Sequence, residues 1–425
     1  MSRSETSDTK GKLHEKWRIV KLSSIFIEID KKKRETRIEN DKQYRLLTVK
    51  LYSKGIVSRG TVPGARIGVE RLYLTKKGDF VLSKIDARNG AWGFVPDDLS
   101  GSLVSTDFPI LRIANEIEFD KDFVNKLLSM RSFRDKLKAI SSGTTGRRRV
   151  SIKNFLDLIT VVPPYSEQKK IAYTLSKFQN AVETEEKELD LLNQLKKAVM
   201  HKLLTEGVGH TNFKETEIGT LPSEWELREI SNLFEVHHGI TLSPSRRGKQ
   251  PNFPMLRTHN IQWGGIITNN LDQAWFSERE INLATPRFGD LFVCEGGDIG
   301  RTAMWEADIA PIGFQNHLHR LRKKNDGVCA KFYAFWMEFA ILLKKLYVDQ
   351  GNKTTIPNLS QSRLKALIVP YPSKREQEQI SSILTEIDRR ISLGSERKIL
   401  FENSYRNMLQ ELMTGQIRVK SLVMS

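Results

Sequence analysis

Apolar residues recur along this chain at alternating spacings of four and three in two long stretches. The first stretch runs Ile171, Leu175, Phe178, Val182, Leu189, Leu192, Val199 and Leu203, with Glu185 and Lys196 filling the two remaining places. The second runs Ile380, Leu384, Ile387, Ile391, Phe401, Tyr405, Met408 and Leu412, with breaks at Gly394 and Lys398. A 3.5-residue period held over about four heptads predicts a coiled coil. From Ile171 to Leu203 the first helix would extend roughly 48 Å at about 1.5 Å per residue. The simplest partner for each helix is the other, and an antiparallel pair would relate the two stretches by a pseudo-two-fold axis.

The repeat extends beyond the helices. Leu158-Ile159-Thr160-Val161-Val162-Pro163-Pro164-Tyr165-Ser166-Glu167-Gln168 returns 209 residues later as Leu367-Ile368-Val369-Pro370-Tyr371-Pro372-Ser373-Lys374-Arg375-Glu376-Gln377. The same offset joins Phe123 to Phe332, Ser151 to Ser360, and Leu203-Leu204-Thr205 to Leu412-Met413-Thr414. Upstream it drifts, from 208 (Trp17 and Trp225, Phe26 and Phe234) to 210 (Gly55 and Gly265) and 211 (Gly78 and Gly289), as small loop insertions and deletions produce.

Each copy has short strand signals (Phe80-Val81-Leu82, Pro109-Ile110-Leu111, Leu291-Phe292-Val293) and one covering helix, at 123–137 or 332–347. The reading is α+β: a tail at 1–16, a globular domain at 17–165, a helix at 166–206, a linker at 207–224, a second globular domain at 225–374, a second helix at 375–415 and a tail at 416–425.

Charge then narrows the partner. Lys and Arg total 68 against 51 Asp and Glu, a net +17 with pI near 9.7, which favours a polyanion such as nucleic acid. The two cysteines, Cys294 and Cys329, exclude a disulfide framework and fit a reducing cytoplasm. The polar start from Met1 to Lys16 has no apolar core of a signal peptide and reads as disordered. The segment 332–348 carries Glu338, Lys344 and Lys345, which suits a partly buried helix better than a membrane span.

Catalytic patterns are missing. Val162-Pro163-Pro164-Tyr165 resembles the Asn/Asp-Pro-Pro-Tyr motif of amino-methyltransferases, but Val162 has no acceptor for a target amine. Gly296-Gly297-Asp298-Ile299-Gly300-Arg301 lacks the Gly-Lys-Ser/Thr of a phosphate loop and reads as a turn. Neither His237-His238 nor His317 with His319 has companions at a metal-binding spacing.

Basic and amide-rich loops are the remaining candidates. In the first copy they carry Lys54, Arg59, Lys84, Arg88, Asn89, Arg147, Arg148 and Arg149. In the second they carry Arg246, Arg247, Lys249, Arg257, Asn260, Arg301, Gln315, Asn316, His317, Lys353 and Thr354. Arg and Lys reach phosphates and guanine edges, while Asn and Gln can pair bidentately with adenine. Lys31-Lys32-Lys33-Arg34 has no counterpart in the second copy and reads as a mobile loop.

The tandem halves, the helix starts at Glu167-Gln168 and Glu376-Gln377, the linker 213–225 and the closing segment 412–419 together resemble a type I restriction-modification specificity subunit, over nearly the whole chain from Trp17 onward. That resemblance implies two target-recognition domains, each reading half of a bipartite, asymmetric double-stranded DNA site, with the helices setting the gap. It implies a chain without catalysis or cofactor of its own that serves defence against foreign DNA. Two adenine-N6 DNA methylation subunits using S-adenosylmethionine, and restriction motor subunits using ATP and magnesium, would dock on it. A free-standing DNA-binding regulator is the alternative reading.

Overall fold

The computed structural model describes residues 16–143, 148–347 and 358–419. It divides into two compact units that do not follow chain order. Unit 1 takes residues 1–184 and 398–425, and unit 2 takes residues 185–397. The boundary falls inside each of the two long helices, Tyr165–Thr205 and Lys374–Thr414.

Each unit is built on the same four-stranded antiparallel sheet. In unit 1 the order is Phe26–Glu28, Ile110–Ile113, Phe80–Leu82, Trp92–Phe94. In unit 2 it is Phe234–His238, Leu318–Lys323, Leu291–Cys294, Thr302–Met304. Register repeats as well, since Ile113 faces Phe26 as Lys323 faces Phe234, and Leu111 faces Phe80 as Leu321 faces Leu291. The central strands are buried on both faces, so they read as unbroken apolar runs instead of alternating ones.

The repeated Gly-Asp pair beside these strands is structural. Asp79 is fully buried, accepts from the Lys76 amide and pairs with Arg112 and Arg34. Asp290 accepts from the Arg287 amide and pairs with Arg322.

A second sheet differs between the units. Unit 1 has five strands, including the long hairpin Gln43–Val49 and Ile56–Pro63, whereas unit 2 has three short strands and a separate two-stranded pair. The covering helix predicted at 123–137 is two helices, Lys121–Ser129 and Arg131–Ala139, because Met130 adopts an extended ψ of 144°. At the equivalent place in unit 2, Ala330–Glu338 widens into a π-turn at Phe339–Leu343.

Within each unit the long helices pack antiparallel. In unit 1, Ile171 and Leu175 share a core with Leu412 and Met413. In unit 2, Met200 and Leu204 share a core with Ile380 and Leu384, while Gly394 lies against Leu189 and Arg397 pairs with Glu185 at 3.2 Å. Every seam place is buried or half-buried, the polar Glu185, Lys196 and Lys398 included.

The recurring Glu-Gln at each helix start is a latch. Gln168 accepts from the Asp120 amide (2.9 Å) and donates to the carbonyls of Glu118 (3.0 Å) and Pro163 (2.9 Å). Gln377 accepts from the Cys329 amide (2.8 Å) and donates to Gly327 (3.1 Å) and Pro372 (2.9 Å).

The adjacent glutamate receives the indole N–H of the repeated tryptophan: Trp17 on Glu167 at 3.3 Å, Trp225 on Glu376 at 3.0 Å. Arg418 completes Glu167 (2.8 Å), while the Val208 amide and His210 complete Glu376 (2.9 Å each). Gly207 is required there, because at φ +66° a Cβ would lie 2.5 Å from the Glu376 carboxylate. Val162-Pro163-Pro164-Tyr165 is thus a strand end and helix start, as the aligned Tyr371-Pro372-Ser373-Lys374 is in the second copy.

Candidate nucleic-acid interface

Loops that are distant in sequence meet at one end of the two central strands of each four-stranded sheet. In unit 1 the Lys84 amide donates to the Asp107 carbonyl (2.9 Å), and the Lys84 carbonyl accepts from the Val150 amide (2.8 Å). In unit 2 the Glu295 amide donates to the His317 carbonyl (2.9 Å), and the Glu295 carbonyl accepts from the Leu359 amide (2.9 Å). These are the same two backbone bonds, at offsets of 209 to 211 residues. A three-way junction of main chain is therefore duplicated while its side chains are not: Lys84, Asp107 and Arg149 stand where Glu295, His317 and Asn358 stand in the other copy.

Around the unit 1 junction the charge is positive. Arg149 is exposed and pairs with Asp107 at 3.3 Å, Arg148 is exposed, and the Lys31 ammonium sits 2.8 Å from the Thr106 carbonyl and over the Tyr73 ring. Burial, followed by the neighbouring Lys84, lowers the Lys31 pKa from its ordinary value. Lys31–Arg34 is therefore an ordered single 3-10 turn capped by Asp30, not the mobile loop expected. Its basic run has a packing reason, since Arg34 pairs with buried Asp79.

A second group forms at the turn 52–54, where Tyr52 and Ser53 adopt positive φ and their amides donate to the carbonyls of Asn89 and Gly90 (2.8 Å each). Lys54, Arg88 and Asn89 come together there. Arg59 is exposed beside a cleft of about 330 Å³ walled by the turn holding Ser105 and Phe108.

Unit 2 binds four of its eight described candidates internally, and for these the sequence reading needs correction. Asn260 is 2% exposed, caps a turn by accepting from the Arg257 amide (2.8 Å) and donates to the Ile267 carbonyl (3.2 Å). Gln315 is 5% exposed and accepts from Arg257 Nε at 3.0 Å. Arg246 makes a two-pronged pair with Glu280 (2.6 and 3.0 Å) and donates to the Trp275 carbonyl (2.8 Å), holding the Glu280 pKa down at about 2. Arg301 joins Asp298 and donates to the Thr258 carbonyl (2.8 Å), so the glycine-rich segment is a strand-connecting turn. A sequence cannot separate such internally committed polar residues from surface ones, because both occur in loops.

Arg257 is exposed and also paired with Asp272 (2.7 Å), His317 is exposed, Asn316 is half-buried, and Lys249 is exposed above the Trp275 ring. Arg147, Lys353, Thr354 and the Arg247 side chain lie outside the described residues. Sequence reasoning missed Lys31, Asp107, Glu295 and Asn358. The repeat offset carried the signal for the last three, since it aligns Lys84 with Glu295 and Asp107 with His317. Among the described residues no group of His, Cys, Asp and Glu is arranged to hold a metal ion, and no helix is long and apolar enough to cross a membrane.

The model for the type I restriction modification DNA specificity domain matches this chain twice, at residues 14–194 and 222–402. The chain belongs to that family. The specificity subunit of the type I restriction enzyme MjaVIII of Methanocaldococcus jannaschii is 25% identical over 423 residues, covering 96% of this chain and 94% of its own. That of the Escherichia coli type I restriction enzyme EcoBI is 22% identical, covering 62% and 59%.

Among solved structures, the S subunit of the type I restriction-modification system of M. genitalium aligns with a TM-score of 0.55 at 15% identity, over 93% of this chain and 96% of that one. A chain from a structure on complex assembly and conformational transition of the type I R-M system aligns at 0.56 and 16%, over 96% and 100%. These likenesses agree with the fold: two tandem specificity domains of mixed helices and sheets, each followed by a long helix.

Proposed function

We propose that this type I specificity chain reads a bipartite, asymmetric DNA site, each unit taking one half through its junction loops. The observation that carries the reading is the duplicated main-chain junction with unlike side chains, basic in unit 1 and mixed in unit 2. A shared scaffold delivers loops to the groove in the same pose, and different side chains then select different bases. The net +17 supplies the phosphate attraction that such binding needs.

The long helices serve as spacer and docking surface in this proposal. Each rises about 60 Å at 1.5 Å per residue and leaves large apolar side chains in water, among them Leu191, Leu195, Leu393, Ile399 and Leu400. Exposed apolar rows of this kind mark protein-binding faces. Methyltransferase subunits with S-adenosylmethionine, and restriction subunits with ATP and magnesium, would supply the chemistry, which this chain would direct without catalysing.

Purified chain incubated with DNA and labelled S-adenosylmethionine is expected to transfer no methyl groups until a methyltransferase subunit is added. Adenine methylation by the chain alone would overturn this reading.

A further inference from the structure

One spot inside each unit carries a buried cation and an aromatic ring, with the two partners on opposite elements. In unit 2, Lys196 of the first long helix lies over the Phe335 ring of the covering helix (5.9 Å). In unit 1, Lys126 of the covering helix lies over the Tyr405 ring of the second long helix (5.2 Å). Lys126 aligns with Phe335 and Tyr405 with Lys196 at the constant offset of 209, so cation and ring have traded places.

The counter-ions did not follow. Lys196 is neutralised by Glu338 (2.8 and 3.1 Å) and Asp388 (2.8 Å), which close the spot. The aligned residues in unit 1 are Ser129 and Gln179, and Lys126 donates only to the Gln179 side-chain carbonyl. Among the described residues no carboxylate lies within ion-pair distance of Lys126, although it is 8% exposed. Asp122 and Glu183 raise its pKa from further off, but burial outweighs them and lowers it.

Above Lys126 the spot opens into a cleft of about 620 Å³. Lys54, Arg134 and Arg406 also line it, opposed by the single carboxylate of Glu402, which Arg406 and Lys398 already engage. Ser53 Oγ and Arg134 Nε on its wall are buried without a hydrogen-bond partner.

We propose that this cleft is the socket for an acidic side chain of the methyltransferase subunit, whose carboxylate takes the place that Glu338 and Asp388 occupy in unit 2. The proposal rests on the reading that this chain recruits such a subunit. A recessed cation suits a side chain that projects from a protein surface, whereas a duplex presents its phosphates on a broad convex rod that stays with exposed lysines. Tyr52, Val182 and Leu409 add apolar wall for the stem of the entering residue.

The test compares the full-length chain with its Lys126→Met and Lys126→Arg variants, measuring uptake of the purified methyltransferase subunit by calorimetry and DNA binding by anisotropy. Lys126→Met is expected to weaken subunit uptake about tenfold while leaving DNA affinity unchanged. Its melting temperature should hold or rise, since a desolvated charge is removed. Lys126→Arg should keep most of the uptake.

Equal uptake by wild type and Lys126→Met would overturn the socket while leaving the proposed function intact. No uptake by the wild type would overturn the proposed function itself. Protection of wild type, but not Lys126→Met, by millimolar acetate with unchanged subunit uptake would overturn the socket in favour of a free-anion site.

Discussion

The two junctions at the ends of the central strands share their backbone and differ in almost everything else. In unit 1, Arg148 and Arg149 are exposed, Arg149 pairs with Asp107, and Lys84 and Lys31 stand half-buried beside them. In unit 2, the equivalent residues are Glu295, His317 and Asn358, and the nearby arginines are held by Asp272, Asp298 and Glu280. The contrast separates two demands on one domain. Shared hydrogen bonds of main chain fix where a loop stands, and the side chains it carries decide what it meets.

The largest expected effect comes from erasing the difference. Placing unit 2 residues into the unit 1 junction (Lys84→Glu, Asp107→His, Arg149→Asn) should lower affinity for the cognate site about a hundredfold or more, at roughly 1–3 kcal/mol per lost base or phosphate contact. Anisotropy with a cognate duplex measures it, and retained affinity would separate this junction from recognition.

The next effect should be equal in both units, because the latches are equal. Gln168→Ala leaves the Asp120 amide and two carbonyls unpaired, and Gln377→Ala does the same to the Cys329 amide and its two carbonyls. Each is expected to destabilise its unit by about 2 kcal/mol, read by calorimetric unfolding.

Much of this frame was legible in the sequence, and the reason is physical. Seam places such as Ile171, Leu175, Ile380 and Leu384 must be apolar because they are buried, so periodicity exposes them. The offset of 209 likewise marked Glu167-Gln168 and Glu376-Gln377, although their role as latches became visible only with the carbonyls they meet. The candidate contacts were less legible. Arg149 and Arg246 look alike in a list of loop arginines, yet Arg149 is exposed beside a single acid while Arg246 is enclosed by Glu280 and Trp275. Partner availability is a tertiary property, and the order of Lys31 is invisible in sequence because its contacts with Thr106 and Tyr73 lie far along the chain.

Smaller effects sharpen the same contrast. Arg149→Ala should weaken DNA binding about tenfold and reduce the dependence of log affinity on log salt by about 0.9, the loss of one phosphate contact. Arg257 is held more closely, by Asp272 at 2.7 Å and by Gln315 at 3.0 Å against the 3.3 Å of Arg149 to Asp107, so Arg257→Ala should change the slope less. A salt titration of both variants checks the difference.

The smallest effect is a pH dependence confined to unit 2. Glu280 titrates near 2 in the fold, chiefly because Arg246 hydrogen-bonds its carboxylate, against an ordinary value of 4.5. A depressed carboxylate contributes stability that is present above about 4.5 and is lost as pH falls toward 2. Glu280→Gln should flatten the stability of unit 2 across that window, as followed by thermal unfolding at stepped pH.

The most direct test of unlike readers on one scaffold is to map methylated adenines in cells carrying the complete complex, with wild-type chain and with the double variant Lys84→Ala, Arg149→Ala. Wild type should mark a bipartite motif with a fixed gap, and the variant should relax one half while the other half and the gap stay the same. A continuous motif, or a variant that alters both halves equally, would contradict the account.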